Sequence, residues 1–91
     1  MKMPRIELQP DLDHCIQTLA RGEYERGLRS LLAGEGDEDL AERTDLLRLF
    51  LETADFGDLR GESERYLLEG KKVTFLVYMD EGVLRYELQV S

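Results

Sequence analysis

The chain carries one cysteine, one histidine, a shortage of positive charge and no long apolar run, and each scarcity closes off a class of function. Cys15 alone cannot form an intrachain disulfide, which suits a reducing compartment and a packing role. His14 is the sole imidazole, which leaves a histidine-based nucleophile triad little to draw on. Adjacent helical residues diverge by about 100°, so His14 is also badly placed to activate its neighbour Cys15. Twelve Lys and Arg against twenty Asp and Glu give a formal charge of -8. Nucleic-acid affinity is dominated by Lys/Arg neutralisation of phosphates, so this balance argues against a nucleic-acid partner. No segment is long or apolar enough to span a bilayer, and Met1-Lys2-Met3-Pro4-Arg5 does not lead into an apolar signal core. A cytoplasmic protein without membrane contact is expected.

What is present points to one folded domain over residues 1–91, with 42% hydrophobic and 35% charged residues. A chain of this size buries roughly 60–65% of its unfolded surface, which leaves little room for a large enclosed active site. The clearest pattern lies in residues 73–90. A two-residue turn at Glu81-Gly82 sets Met79 opposite Leu84, Val77 opposite Tyr86, Phe75 opposite Leu88 and Val73 opposite Val90. The same register collects Tyr78/Arg85, Leu76/Glu87 and Thr74/Gln89 on the other face, and a loop of odd length would scramble the sorting. A two-stranded hairpin is marginal in water, so its apolar face needs a cover of helices or a second chain.

Ahead of the hairpin, residues 1–10 read as an extended arm, since Pro4 and Pro10 disfavour helix in the residues before them. Ile6 and Leu8 alternate with Arg5, Glu7 and Gln9, a short strand signal that would add a third strand to the hairpin edge. Residues 11–70 form the helical part. A first helix is expected from an Asp11 cap, with Leu12, Cys15, Ile16, Leu19 and Ala20 on one stripe, stopping at Gly22. A second runs over residues 23–33 with Tyr24, Leu28, Leu31 and Leu32 inward. A third is capped by Asp37 or Asp39 and is apolar at Leu40, Leu46, Leu47, Leu49, Phe50, Leu51 and Ala54. A fourth, from about Asp58 to Gly70, offers Leu59, Ser63, Tyr66 and Leu67 as its buried row. The expected fold is therefore α+β: four short helices in two antiparallel pairs, then a C-terminal antiparallel β-hairpin.

Within the helical part, Leu19-Ala20-Arg21-Gly22-Glu23-Tyr24 recurs 32 residues later as Leu51-Glu52-Thr53-Ala54-Asp55-Phe56. Each copy reads leucine, two variable residues, a small residue, an acid and an aromatic. Gly22, Tyr24, Gly27, Leu31 and Gly34 stand where the second helix of a tetratricopeptide-type hairpin carries glycine, aromatic, small, large and small residues. The segment resembles that motif over about fifteen residues. Asp11, His14 and Cys15 stand where the motif's first helix has an aromatic, a leucine and a glycine. The resemblance therefore implies a way of packing two helices and no shared activity.

The chemistry-bearing clusters are weak. Asp11, Asp13, His14 and Cys15 place four ligand types in five residues, but 11 and 15 share a helix face from which 13 and 14 diverge, so no metal site and no cofactor is expected. Residues 35–45 carry six acids (Glu35, Asp37, Glu38, Asp39, Glu42 and Asp45) against Arg43. Acids at a helix N-terminus favour the helix dipole, and they also make a docking surface for a basic partner. Gly70-Lys71-Lys72 precedes a strand, the reverse of a P-loop, and with Arg60, Arg65 and Arg85 makes only a modest basic patch. The outer hairpin face mixes apolar bodies with polar tips, and its free edges offer unpaired backbone groups for β-augmentation or a homodimer. The leading expectation is a small acidic, non-enzymatic interaction or regulatory module of an unknown protein partner. Its contact residues are Leu76, Tyr78, Arg85 and Glu87 on the hairpin, with Asp37, Glu38 and Glu42 on the acidic helix. Two other readings stand beside it: an acidic inhibitor or antitoxin-like partner of a basic protein, and a ligand binder or enzyme using Glu62, Glu64, Tyr66, Tyr78 and Tyr86 in a helix–hairpin cleft.

Overall fold

The structure, a computed structural model, describes residues 5–91 and has the order β1 (Arg5–Leu8), α1 (Ile16–Leu32), α2 (Glu38–Thr53), α3 (Phe56–Leu68), β2 (Val73–Asp80) and β3 (Val83–Val90). The α+β class holds, with three helices among the described residues and a three-stranded antiparallel sheet in the order β1-β2-β3. The hairpin register is the expected one, from Met79 opposite Leu84 to Val73 opposite Val90. Glu81 and Gly82 both take positive φ, 50° and 79°, the backbone of a type I′ turn whose twist matches that of the flanking strands. Residues 5–8 do form a third strand, with Ile6 opposite Val77 and Leu8 opposite Phe75, so the inward row of β2 is flanked by apolar residues on both sides.

The expected four helices in two pairs are corrected to three, because Gly22 does not end a helix. The buried residues Ile16, Ala20 and Gly27 lie on one face of a single helix that continues through it. Gly22 sits on the exposed side, where its cost of about 1 kcal/mol relative to alanine is outweighed by continuing the packed stripe. The start also moves, from Asp11 to Ile16. The Asp11 carboxylate accepts the backbone N–H of Asp13 at 2.9 Å and of His14 at 2.7 Å. Such local bonds hold the backbone in a turn that competes with helix. Cys15 becomes the N-cap of α1 and is only half-buried, not a member of the helix's core stripe. The α1 end has a physical stop: Gly34 adopts φ 74°, and Glu35 N–H reaches Ser30 O at 2.9 Å while Gly34 N–H reaches Leu31 O at 3.1 Å, a Schellman arrangement.

The first copy of the internal repeat consequently lies inside α1, while Leu51–Phe56 does fall at the α2–α3 turn. Asp37 caps α2 by accepting Leu40 N–H at 2.9 Å, as expected, and Asp55 caps α3 by accepting Asp58 N–H at 3.2 Å. α1 and α2 pack as a helical hairpin in which Gly27 meets the buried Thr44 so closely that a β-carbon at 27 would collide with the Thr44 hydroxyl. The close approach at Gly27 is therefore between α1 and α2, and not between the two helices that the resemblance implies ahead of residue 34, which form one helix.

The helices lie on the inner face of the sheet. Phe50 of α2, Phe75 and Val77 of β2 and Ile16 of α1 are fully enclosed, with Leu46, Leu47, Leu59, Ile6, Leu8 and Val73 around them. Phe50 touches Phe56 edge-on at 5.2 Å and Tyr86 at 5.6 Å between ring centres, tying α2, α3 and β3 together. No helix of the described residues is long and apolar enough to cross a membrane.

Two glycines of α1 predict opposite outcomes for one substitution. Gly22→Ala meets nothing within 4 Å and should raise stability by about 0.5–1 kcal/mol through helix propensity. Gly27→Ala should lower it by about 1–3 kcal/mol through overpacking against Thr44. Urea unfolding of the two variants beside the parent checks both signs.

Candidate interaction site

The outer face of the sheet gathers the residues that strand alternation places there and adds two from β1. Tyr78 stands between Arg5 and Arg85, and Leu76 between Glu7 and Glu87, so a basic row and an acidic row run side by side across the three strands. The Tyr78 hydroxyl donates to Glu87 Oε1 at 2.8 Å, a diagonal bond between the two rows. That bond to a carboxylate, assisted by partial desolvation, pushes the Tyr78 phenol above its ordinary value. Arg85 Nε lies 4.0 Å from Asp80, a loose surface pair of small energetic weight. Leu76 offers little for a partner to touch: it faces outward at only 6% exposure and stands apart from the core cluster. Arg5 and Glu7 join the site only because β1 pairs with β2, a register that the Ile6/Leu8 alternation carries.

The acidic residues expected to act with this face lie elsewhere. Asp37 is occupied as the α2 cap, while Glu38 and Glu42 are exposed on the helical layer, behind the sheet. The two candidate surfaces are therefore separate, since the helices cover the opposite face of the sheet from Tyr78, Arg85 and Glu87.

The five residues named for a helix–hairpin cleft divide among four places. Glu62 and Tyr86 do meet, in an open cleft of about 420 Å³ lined also by Asp55, Asp58 and Leu59. Glu64 is turned aside to Arg60 at 2.8 Å. Tyr66 lies under the Arg65 guanidinium, 4.9 Å from its ring centre, with Lys71 at 5.7 Å. Tyr78 belongs to the opposite face of the sheet. Among the described residues, no group of three or more His, Cys, Asp or Glu side chains is placed to hold a metal ion. Cys15 has the Thr18 hydroxyl 3.2 Å from its sulfur, a hydrogen bond that draws the thiol below its ordinary value. The basic residues are partly offset by acids, Arg60 by Glu64 and Lys71 by Glu69 at 3.2 Å.

Strand alternation alone misses one feature. The inward row of β3 is incompletely covered: Tyr86 is 41% and Val90 38% exposed, and Leu84 and Leu88 are half-buried, whereas Val73, Phe75 and Val77 of β2 are enclosed. The helices enclose the inward residues Ile6 and Leu8 of β1 and Val73, Phe75 and Val77 of β2, and leave those of β3 partly exposed. An apolar strip thus runs beside the β3 edge, which is unpaired among the described residues and where backbone N–H and C=O groups face outward.

The Tyr78–Glu87 bond predicts a titration. Tyr78 should form its phenolate above the ordinary tyrosine range as pH rises, followed by ultraviolet difference absorbance. Glu87→Gln removes the carboxylate acceptor and should bring that transition back toward the ordinary tyrosine range near 10. Because the folded-state value is the raised one, whatever stability the bond lends is present at neutral pH and is lost only as pH climbs through the Tyr78 transition.

No curated protein and no solved structure matches the chain at a significant level. A protein-family model does match, over residues 1–87, a span that takes in all three helices, β1, β2 and β3 as far as Glu87. The chain belongs to that family, which is uncharacterised.

Proposed function

We propose that the protein is a small, non-enzymatic, cytoplasmic interaction module whose principal contact is the free edge and apolar inner flank of β3. The observation that carries this reading is the exposure of Tyr86 and Val90 on a row that faces the core side of the sheet. Monomeric proteins ordinarily blunt such edges with bulges, prolines, inward charges or a covering element, and among the described residues the inward row of β3 carries no proline or charge and is left partly uncovered. Unpaired backbone groups supply main-chain hydrogen bonds to an incoming strand, and Leu84, Tyr86, Leu88 and Val90 supply the apolar contact beside it. Tyr78, Arg85 and Glu87 form the polar border on the outer face. Glu38 and Glu42 with Asp37 make a second, weaker surface.

The acid-lined cleft favours a variant of the same reading. Asp55, Asp58 and Glu62 stand beside the Tyr86 ring, a combination of negative charge and aromatic face that suits a Lys or Arg side chain of a basic partner. That mode is electrostatic, and its affinity falls with added salt. Strand addition at the β3 edge depends far less on salt.

The test is site-specific photo-crosslinking in the cells that produce the protein, with the photoreactive residue placed at Val90 or, as a control, at the exposed Arg26 of α1. A discrete adduct from position 90 and none from position 26 is expected. Absence of any adduct at 90 removes the edge as the working surface.

A further inference from the structure

We propose that the occupant of the β3 edge is a second copy of this chain, joined by antiparallel pairing of the two β3 strands about a twofold axis through Tyr86. This inference rests on the reading of that edge as the interaction surface and names its partner. The two-residue turn makes Asp80 and Val83 the first hydrogen-bonded pair of the hairpin. The reciprocal bonds Lys72 N–H to Ser91 O at 2.8 Å and Ser91 N–H to Lys72 O at 2.9 Å lie in the same phase at the other end of the ladder. Residues 83, 85, 87 and 89 consequently bond to β2, and residues 84, 86, 88 and 90 direct their backbone groups to the free edge.

Twofold pairing keeps the inward rows of both copies on one side, so a residue meets only residues of its own parity. Centred on Tyr86, the pairing sets Tyr86 against Tyr86 of the second copy and Leu84 against Leu88 of the second copy, twice over by symmetry. On the outer face it sets Arg85 against Glu87 of the second copy, again twice. These are aromatic, apolar and opposite-charge cross-strand pairs, each of a favourable kind. Moving the axis by one residue destroys the match, because it brings Arg85 against its own copy or Glu87 against its own copy. The strand is thus self-complementary in one register, as an isologous interface requires.

Among the described residues, Arg85 is engaged by the 4.0 Å contact to Asp80, and Glu87 uses one oxygen for Tyr78, which leaves both able to make the new pairs. The pairing extends the sheet to six strands with both helical layers on one side, which brings the exposed inner strips of the two copies together and covers Tyr86. The β1 edge is a poorer candidate, with four paired residues among those described against eight in β3.

The test is sedimentation velocity of the full chain from about 5 to 500 µM at about 0.15 M salt, where a Debye length near 8 Å screens repulsion between two acidic molecules. A reversible dimer is expected. Arg85→Glu alone and Glu87→Arg alone should each weaken it roughly tenfold or more, since two attractive contacts become two repulsive ones, while the double reversal should return the dissociation constant to near that of the parent. Circular dichroism melts show that each variant is folded, and the rescue excludes a merely structural effect. A chain that stays monomeric over the whole range overturns the proposal, as does a dimer indifferent to the single reversals or not restored by the double. Crosslinking from position 90 to a different protein only, with a monomeric chain in solution, overturns the second copy and leaves the edge reading standing.

Discussion

The inner face of β2 is the constraint on which the rest depends. Val73, Phe75 and Val77 form a row that water cannot be allowed to reach, and each structural element is placed by the need to enclose it. β1 and β3 flank it in the plane of the sheet, so its backbone is paired on both sides and it lies at the centre. α2 sets Leu46, Leu47 and Phe50 over it, while α1 and α3 contribute Ile16, Ala20 and Leu59. Burial of this kind contributes about 25 cal/mol for each Å² of apolar surface withdrawn from water, and a domain of this size has little else on which to draw.

Enclosing β2 with three short helices leaves the sheet's margin thinly covered, and the functional reading follows from that geometry. The helices reach Tyr86 through the Phe50 ring and extend little farther, so β3 keeps a half-covered apolar row beside an unpaired edge. The same strand carries Arg85 and Glu87 on its other face, one on each side of the Tyr86 position. Edge, strip and charges are therefore parts of one strand, and the regularity of strand alternation brings them together.

Much of this is legible in the sequence. The hairpin register follows from the parity of a two-residue turn, and the Asp37 cap and the Gly70 stop follow from the residues that helix ends favour. What escaped was governed by competition between local and tertiary effects. Gly22 is a helix breaker by propensity, yet a stripe from Ile16 to Gly27 packs better if the helix continues, and about 1 kcal/mol of glycine cost does not outweigh it. Asp11 is a good cap by type, but its carboxylate closes a turn instead of a helix. Of the candidate contact residues, Tyr78, Arg85 and Glu87 share one face as alternation demands, while Leu76 on that same face is shielded. Alternation gives a side chain's direction and not its exposure.

The sequence by itself determined the α+β class, the pairing of β2 with β3 and the sorting of their two faces, because the period of a strand is two and the turn residues set its phase. It also determined the acidic charge. Only the tertiary structure decided that residues 16–32 form one helix, that the acidic start of α2 and the hairpin's outer face are separate surfaces, and that β3 is left partly uncovered. Those outcomes depend on how wide a layer three helices make when they cross a three-stranded sheet. That width comes from packing between residues far apart in the chain, to which local periodicity is blind.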